Sequence, residues 1–250
     1  RPGGVARVKK GVFTLAGAEF AAPGLRLLRL RGDTEGAAGP GKFVEVSLPG
    51  FFLRRPFSVC GVEGDELTLA VKLAGRGTQA LHELAPGAQL EVLTGLGRGF
   101  DLARSGGAPL LLGGGSGTAP MLYLARELSK LGVRPSAALG FGTAAECCFE
   151  REFREVCSDL RVFTQDGSRG ERGLVTQALE RGGYSFVYAC GPLPMLRAVD
   201  EGSAAPGQFS LEARMGCGFG ACMGCSCKTK YGSKRICKDG PVLEKEEIVW

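Results

Sequence analysis

The sequence predicts an antiparallel β barrel, followed by an α/β domain built on a parallel sheet and by a short cysteine-rich region. Three observations lead to this fold class. Short β-type segments separated by turns run up to about residue 100, strands and helices then alternate, and five of the ten cysteines lie between residues 217 and 237. We predict domain boundaries of 1–101, 102–203 and 204–250.

The barrel is predicted from short apolar runs with turn residues between them. Gly, often beside Pro, marks turns at 39–41, 49–50, 64–65 and 86–87. Strands at this spacing are typical of a small antiparallel barrel or sandwich. The predicted strands are 25–30, 43–48, 57–62, 67–73 and 89–93, with a short helix at 79–84.

The α/β domain is predicted from a change of rhythm after residue 108. Short buried-type strands alternate with helical patterns there, which indicates βαβ units and a parallel sheet. A loop of Ser, Ala and Pro at 202–207 marks its end. The predicted strands are 109–112, 136–141, 161–164 and 186–190, and the predicted helices are 119–131, 149–156, 173–179 and 193–199.

Composition excludes several classes of protein. The net charge of +5 comes from scattered basic residues, and no basic stripe with interleaved aromatic residues predicts nucleic-acid binding. No apolar run reaches the ~18 residues that span a membrane. Since no signal-peptide pattern is present either, we expect a cytoplasmic protein.

The cysteine-rich region predicts a metal centre. Cys217 and Cys222 are separated by four residues, Cys222 and Cys225 by two, and Cys237 follows after eleven more. This is the spacing of plant-type [2Fe–2S] ligands. A zinc site, which usually shows two Cys-x-x-Cys-like pairs, and structural thiols are the alternatives. Cys227, two residues after Cys225, is left out of the ligand set.

A Gly-rich turn at 113–120 follows an apolar strand and opens a helix, with Pro120 in its first turn. Free N–H groups and the helix dipole of such a turn favour an anion, typically a nucleotide pyrophosphate. The pattern is neither G-x-G-x-x-G nor a P-loop, and a plain tight turn is the alternative. A second strand-to-helix turn at 190–195 strengthens the prediction, because two such turns could cradle one dinucleotide.

The first domain carries two matching features, at 55–58 and 75–78. Arg55 offers a charge-assisted contact to phosphate, and the Ser58 hydroxyl can bond a ring edge. Thr78 is predicted to cap a helix that begins near Gln79, and Gly77 lets a phosphate approach. A surface arginine and an ordinary capped helix are the alternatives.

The order of these motifs resembles the electron transfer subunits of NAD-dependent dihydroorotate dehydrogenases, in the ferredoxin–NADP reductase superfamily. The resemblance extends over nearly the whole chain and also includes 40–43 and 95–100. It implies an FAD-binding barrel, an NAD-binding α/β domain and a C-terminal [2Fe–2S] loop. The implied FAD contacts are Arg55, Pro56, Phe57, Ser58, Ala70, Val71, Lys72, Gly77 and Thr78. The predicted NAD contacts are Gly114, Gly115, Ser116, Gly117, Thr118, Cys190, Gly191 and Pro192.

The resemblance also implies a function in pyrimidine biosynthesis. Electrons would pass from the FMN of a separate catalytic subunit through [2Fe–2S] and FAD to NAD⁺. The assembly is expected to contain two copies of each chain. The alternatives are a subunit of an NADH-dependent ferredoxin:NADP⁺ oxidoreductase or sulfide dehydrogenase, and a non-catalytic iron–sulfur redox sensor. Some subunits similar to the first alternative replace one cluster cysteine with Asp, so four cysteines favour the dihydroorotate hypothesis.

Two further expectations concern charge. Residues 141–146 include Glu146 and no Arg, which favours NAD over NADP. His82, the one histidine, is given no role.

A basic stretch is either a solvated rim or a docking surface for an acidic partner. Its members are Lys228, Lys230, Lys234, Arg235 and Lys238.

Overall fold

The N-terminal part of the chain is a closed antiparallel barrel with the strand order β1-β2-β5-β4-β3-β6. The computed structural model describes residues 7–250, so the first six residues of the predicted barrel domain lie outside the described part. The barrel strands are β1 (Lys9–Ala22), β2 (Leu25–Arg31), β3 (Phe43–Val46), β4 (Arg55–Glu63), β5 (Glu66–Lys72) and β6 (Gln89–Leu96).

Alternation of apolar and polar residues fills the barrel. In β5, Leu67, Leu69 and Val71 are buried while their neighbours face outward. Helix α1 (Arg76–His82) follows β5 and is held against it by a contact of 2.7 Å between His82 Nε2 and the Val71 carbonyl oxygen. The histidine therefore has a structural contact in this fold.

The second part is a seven-stranded sheet with the order β10-β9-β8-β7-β11-β12-β15. All neighbours are parallel except β12 and β15. Its strands are β7 (Pro109–Gly114), β8 (Ser136–Phe141), β9 (Asp159–Thr164), β10 (Glu171–Arg172), β11 (Phe186–Cys190), β12 (Gly207–Ser210) and β15 (Val242–Glu244). The predicted barrel, parallel sheet and C-terminal cysteine region, and so the fold class, are confirmed.

Helices cover the sheet and connect its parallel strands. They are α2 (Thr118–Lys130), α3 (Glu150–Val156) and α4 (Leu193–Gly202). The segment predicted as a helix at 173–179 is instead a 3-10 helix, Val175–Arg181. Four further 3-10 helices are Leu102–Arg104, Gly115–Gly117, Ala144–Glu146 and Lys245–Glu247. In residues 7–250, none of the helices combines the length and hydropathy needed to cross a bilayer.

The cysteine-rich region is attached to this sheet. Between β12 and β15 the chain forms the hairpin β13 (Ser226–Thr229) and β14 (Gly232–Arg235), followed by α5 (Ile236–Asp239). Lys234 pairs with Glu247, whose side chain is almost fully buried. Because β12 precedes Cys217 and β15 follows Cys237, the segment that holds the predicted ligands is anchored at both ends on strands of the sheet.

Candidate functional site

The four predicted iron ligands lie as two pairs. The sulfurs of Cys225 and Cys237 are 3.2 Å apart, and both residues are buried. Cys217 interacts with the side chain of Cys222 and accepts the Cys222 N–H at 3.4 Å. Within residues 7–250, no three metal-ligating side chains converge as they would around a single ion. A [2Fe–2S] cluster of this type is bound by four cysteine thiolates, two on each iron.

Backbone N–H groups prepare Cys217 to bind metal as a thiolate. Burial raises the pKa of this thiol, but N–H groups of Cys222, Phe219 and Ala221 point at the sulfur and lower its pKa to about 6. The Ala221 nitrogen lies 3.2 Å from the sulfur. A thiolate is the metal-binding form of cysteine, so this loop favours the form that iron requires.

Glycines leave room around these sulfurs. A Cβ atom on Gly216 would lie 3.2 Å from the sulfur of Cys222, and one on Gly224 would lie 3.6 Å from it. Gly218 and Gly220 have φ values of +77° and +90°, which other residues rarely adopt. The loop can therefore wrap closely around a compact group, and the residues present fit the cluster.

Cys227 lies on β13, where it pairs with Lys234. It lines a cavity of about 320 Å³ together with Cys225, Ile248 and Trp250. Its exclusion from the ligand set stays a prediction.

A cavity of about 340 Å³ lies between the barrel and the α/β domain, and we call it the flavin cavity. It brings together many residues predicted to contact FAD with some predicted to contact NAD. These are Pro56, Phe57, Ser58, Ala70 and Lys72 from the barrel, and Ser116, Gly117 and Cys190 from the α/β domain. Val71 is buried in the barrel core and does not line it.

A second cavity, of about 410 Å³, lies at the carboxyl ends of β7, β8 and β11, and we call it the dinucleotide cavity. Ligands of open parallel sheets bind at such strand ends. Gly114, Gly115 and Pro192 line it, as does Glu146. Lys72 lines both cavities. The predicted NAD contacts are thus divided between two adjoining spaces.

The two glycine-containing turns pack directly against each other. A Cβ on Gly117 would lie 2.3 Å from the Cys190 carbonyl oxygen, and one on Gly191 would lie 3.1 Å from the Cα of Gly114. Thr118 is fully buried, and its hydroxyl donates to the Gly115 carbonyl at 2.8 Å. The turns therefore form one wall, to which Thr118 contributes by fixing the loop.

Arg55, Gly77 and Thr78 lie together outside both cavities. A Cβ on Gly77 would lie 2.9 Å from the Nε of Arg55, so the guanidinium passes directly over this glycine. The predicted role of Thr78 as the helix cap was wrong. The helix α1 begins at Arg76, so Thr78 is its third residue. Its hydroxyl accepts the Ala74 and Gly75 N–H groups at 2.9 and 3.1 Å.

Two acidic residues near these sites were missed from the sequence. Glu212 lines the flavin cavity; burial raises its pKa, and the nearby charge of Lys72 lowers it. Glu45 is fully buried on β3, and a Cβ on Gly218 would lie 2.6 Å from its Cγ. Burial raises the pKa of Glu45 to about 7. Glu45 could have been noticed from the sequence, because it is a charged residue among the apolar residues of β3. No local motif marks Glu212.

Comparison with known proteins bears on these sites. Residues 212–249 match the family model of the iron-sulfur cluster binding domain of dihydroorotate dehydrogenase B. The chain is 41% identical over 225 residues to the dihydroorotate dehydrogenase B (NAD(+)), electron transfer subunit, of Geobacillus thermodenitrificans (strain NG80-2), covering 84% of this chain and 86% of that protein. The subunit of the same name from Lysinibacillus sphaericus (strain C3-41) is 40% identical over 236 residues, covering 88% and 91%.

Solved structures share the architecture. A chain from the structure of the NADH-dependent reduced ferredoxin-NADP oxidoreductase aligns with a TM-score of 0.87 and 27% identity, covering 95% of this chain and 90% of that one. Phthalate dioxygenase reductase aligns with a TM-score of 0.60 and 24% identity, covering 76% and 63%, and shows the fold alone.

These similarities confirm three predictions: the family, the cofactor set of FAD, [2Fe–2S] and NAD, and the role as an electron transfer subunit of an NAD-linked oxidoreductase. The individual contact residues stay predictions. The chain belongs to the family of dihydroorotate dehydrogenase B (NAD(+)) electron transfer subunits.

Proposed function

We propose that this chain passes electrons from the FMN of a dihydroorotate dehydrogenase catalytic subunit, through a [2Fe–2S] cluster and FAD, to NAD⁺. One observation carries the proposal: the flavin cavity lies between the other two sites. It shares Lys72 with the dinucleotide cavity, and it shares Leu211, Glu212 and Ala213 with the cavity that runs along Cys225. A carrier bound there would adjoin both the electron donor and the acceptor.

The chain supplies placement for this chemistry. When bound, FAD supplies the conversion between single electrons and a hydride, and the cluster supplies single-electron transfer. Arg55, held over Gly77, would bind the flavin pyrophosphate by charge-assisted hydrogen bonds. Ser58 would hydrogen-bond the edge of the flavin ring from the cavity wall. Gly114, Gly115 and Pro192 would hold the nicotinamide dinucleotide on the adjoining side.

The two thiol pairs divide the work of holding the cluster. Cys217 and Cys222 would bind one iron, and Cys225 and Cys237 the other, because each pair already lies together. Cys222 is exposed whereas Cys225 and Cys237 are buried. The first pair would therefore face the surface and the second the interior of the chain.

The catalytic partner would dock around the exposed ligand. Phe219, Met223 and Tyr231 are large exposed apolar side chains on the cluster loop and hairpin, with exposed fractions of 45%, 54% and 80%. Exposed Lys228 and Lys230 lie on the same hairpin. We infer that the docking face of the partner carries apolar and acidic residues. We also infer that the assembly contains two copies of each chain. The ten cysteines, all within the described residues, form no disulfide, which is consistent with the reducing cytoplasm that we infer as the location.

The second candidate is a subunit of a ferredoxin:NADP⁺ oxidoreductase. The similarity to the NADH-dependent reduced ferredoxin-NADP oxidoreductase structure supports it. The relatives at about 40% identity favour the dihydroorotate function.

Co-purification from the native organism separates the two candidates. The expected result is an FMN-containing partner that oxidises dihydroorotate in the complex, with the isolated chain inactive on dihydroorotate. A large glutamate-synthase-like partner, or dihydroorotate oxidation by the isolated chain, would overturn the proposal.

A further inference from the structure

Glu146 occupies a special place in the dinucleotide cavity. It follows β8 at the end of the 3-10 helix Ala144–Glu146 and lines the cavity with Phe141 and Gly142. Its Oε2 accepts the Gly142 N–H at 3.1 Å. The carboxylate is thus fixed at the carboxyl end of the second parallel strand, where an acidic residue bonds the adenosine ribose in dinucleotide-binding sheets.

The rim beside Glu146 is built from the loop after β9. The Ala144 N–H donates to the Ser168 hydroxyl at 2.7 Å, which fastens this loop to the 3-10 helix. The next residue, Arg169, is held at the same rim, because its backbone N–H donates at 3.0 Å to the hydroxyl of Thr164, the last residue of β9.

Arg169 is a cation that a phosphate group could use, but it is already engaged. Its Nε and Nη2 atoms donate to the two carboxylate oxygens of Glu150 at 3.1 and 3.0 Å. This bidentate pair, with a further contact from Arg154, lowers the pKa of Glu150. Glu150 therefore holds Arg169 on the outside of the cavity.

The positive charge in the dinucleotide cavity lies away from Glu146. Of the residues that line it in the described part of the chain, Lys72 carries the positive charge. Lys72 also lines the flavin cavity, so it would lie near the nicotinamide end of a dinucleotide that reached the flavin. The end that would hold the adenosine ribose presents Glu146 and the uncharged Gln165.

We propose that Glu146 is the specificity-determining residue that excludes a 2′-phosphate, and that Glu150 supports it by withholding Arg169. The proposal rests on the dinucleotide site of the proposed function and names the residues that would select NAD, with its free adenosine 2′-hydroxyl, over NADP. A 2′-phosphate would meet the fixed carboxylate without a compensating cation, and such like-charge contacts are strongly unfavourable.

The test uses Glu146→Gln in the FAD- and cluster-loaded chain. The amide keeps an oxygen for the Gly142 N–H and removes the charge. Two measurements are made: binding of AMP and of 2′-phospho-AMP by calorimetry, and dye reduction with NADH and NADPH. The ratio of kcat/KM for NADPH to that for NADH is expected to rise at least about tenfold, with a similar gain in relative 2′-phospho-AMP affinity.

Two further variants sharpen the result. Glu146→Gln combined with Glu150→Gln frees Arg169 and is expected to raise the NADPH ratio beyond the single variant. Glu155→Gln is the matched control, because Glu155 lies on the same helix as Glu150, contacts Arg151 at 4.0 Å and does not line the cavity. Its ratio is expected to stay at the wild-type value.

The outcomes are distinct. If the wild-type chain uses NADH and Glu146→Gln leaves both ratios unchanged, the inference is overturned while the proposed function stands. Should Glu146→Gln fail to fold, Glu146→Ser provides the same comparison. A wild-type chain that neither binds AMP nor oxidises NADH would overturn the proposed function, and this inference with it.

Discussion

Gly117 and the Cys190 carbonyl oxygen touch so closely that a Cβ atom on Gly117 would lie 2.3 Å from that oxygen. The contact joins the turn after β7 to the turn after β11. It holds the wall shared by the flavin and dinucleotide cavities, because Gly117 and Cys190 line one and their neighbours Gly115 and Pro192 line the other.

Replacement of Gly117 by Ala should separate the two turns. Gly117 has an ordinary φ of −65°, so the effect is steric. We expect a loss of about 1–3 kcal/mol in the free energy of unfolding, as in other overpacked sites, and a higher KM for NADH. Denaturant unfolding and dye reduction measure the two effects. Gly107→Ala is the control, since a Cβ there meets nothing within 4 Å; equal effects of both variants would refute the packing argument.

The ligand set can be tested with two alanine variants. Cys222 is exposed, so Cys222→Ala should leave the fold intact. We expect it to abolish the electron paramagnetic resonance signal of the reduced [2Fe–2S] cluster and to lower bound iron, with FAD content unchanged. Cys227→Ala should keep both signal and iron. The ligand set would be wrong if the Cys227 variant lost the cluster and the Cys222 variant retained it.

Arg55 should carry much of the affinity for FAD. Arg55→Ala removes the charge-assisted contact to the pyrophosphate, worth about 1.5–3 kcal/mol, so the Kd for FAD should rise about tenfold to a hundredfold. Fluorescence titration of the FAD-free chain measures this. Arg31→Ala serves as control, because Arg31 is an exposed barrel residue that lies 3.6 Å from Glu66. Identical FAD affinity in both variants would remove Arg55 from the site.

Glu45 should make the chain more sensitive to rising pH. Burial raises the pKa of Glu45 from 4.5 to about 7, so the folded state holds a proton that the unfolded state releases. Stability from this group is therefore full below pH 4.5 and declines as the pH rises to about 7. The full decline is about 3 kcal/mol, since one pKa unit corresponds to about 1.4 kcal/mol.

Glu45→Gln should abolish that decline. We expect the stability of the variant relative to wild type to increase by about 2–3 kcal/mol between pH 5 and pH 8, as measured by denaturant unfolding. Glu91→Gln is the control: Lys10 and Arg54 lower the pKa of Glu91, so this group titrates below pH 4.5 and its variant should keep a nearly constant difference from wild type between pH 5 and pH 8. A pH-independent difference between Glu45→Gln and wild type would show that Glu45 does not titrate in this range.

Much of the fold could be predicted from the sequence, because most strands are apolar runs bounded by Gly and Pro. The longest strand, β1, was missed. Gly11, Gly17 and several charged residues interrupt its apolar pattern, and it is held by pairing with both β2 and β6. Strand β12 (Gly207–Ser210) was also missed, and it begins at the last residue of the segment predicted as a loop. It has little β propensity of its own and is ordered by pairing with β11 and β15.

The sites divide in the same way. Local motifs identified the cysteines and both turns, because their chemistry depends on spacing within one segment. Glu212 and the role of Lys72 between the cavities depend on segments far apart in the chain, so no spacing could reveal them. The cap role predicted for Thr78 was wrong by a few residues, since helix ends depend on the whole loop before them.

The central claim is that this chain carries electrons from a dihydroorotate-oxidising partner to NAD⁺. The most direct measurement is anaerobic NADH formation from dihydroorotate and NAD⁺ by the FMN-containing catalytic subunit, with and without the FAD- and cluster-loaded chain. We predict NADH formation with wild-type chain and none with Cys222→Ala. NADH formation by the catalytic subunit alone, or at an unchanged rate with Cys222→Ala, would contradict the claim.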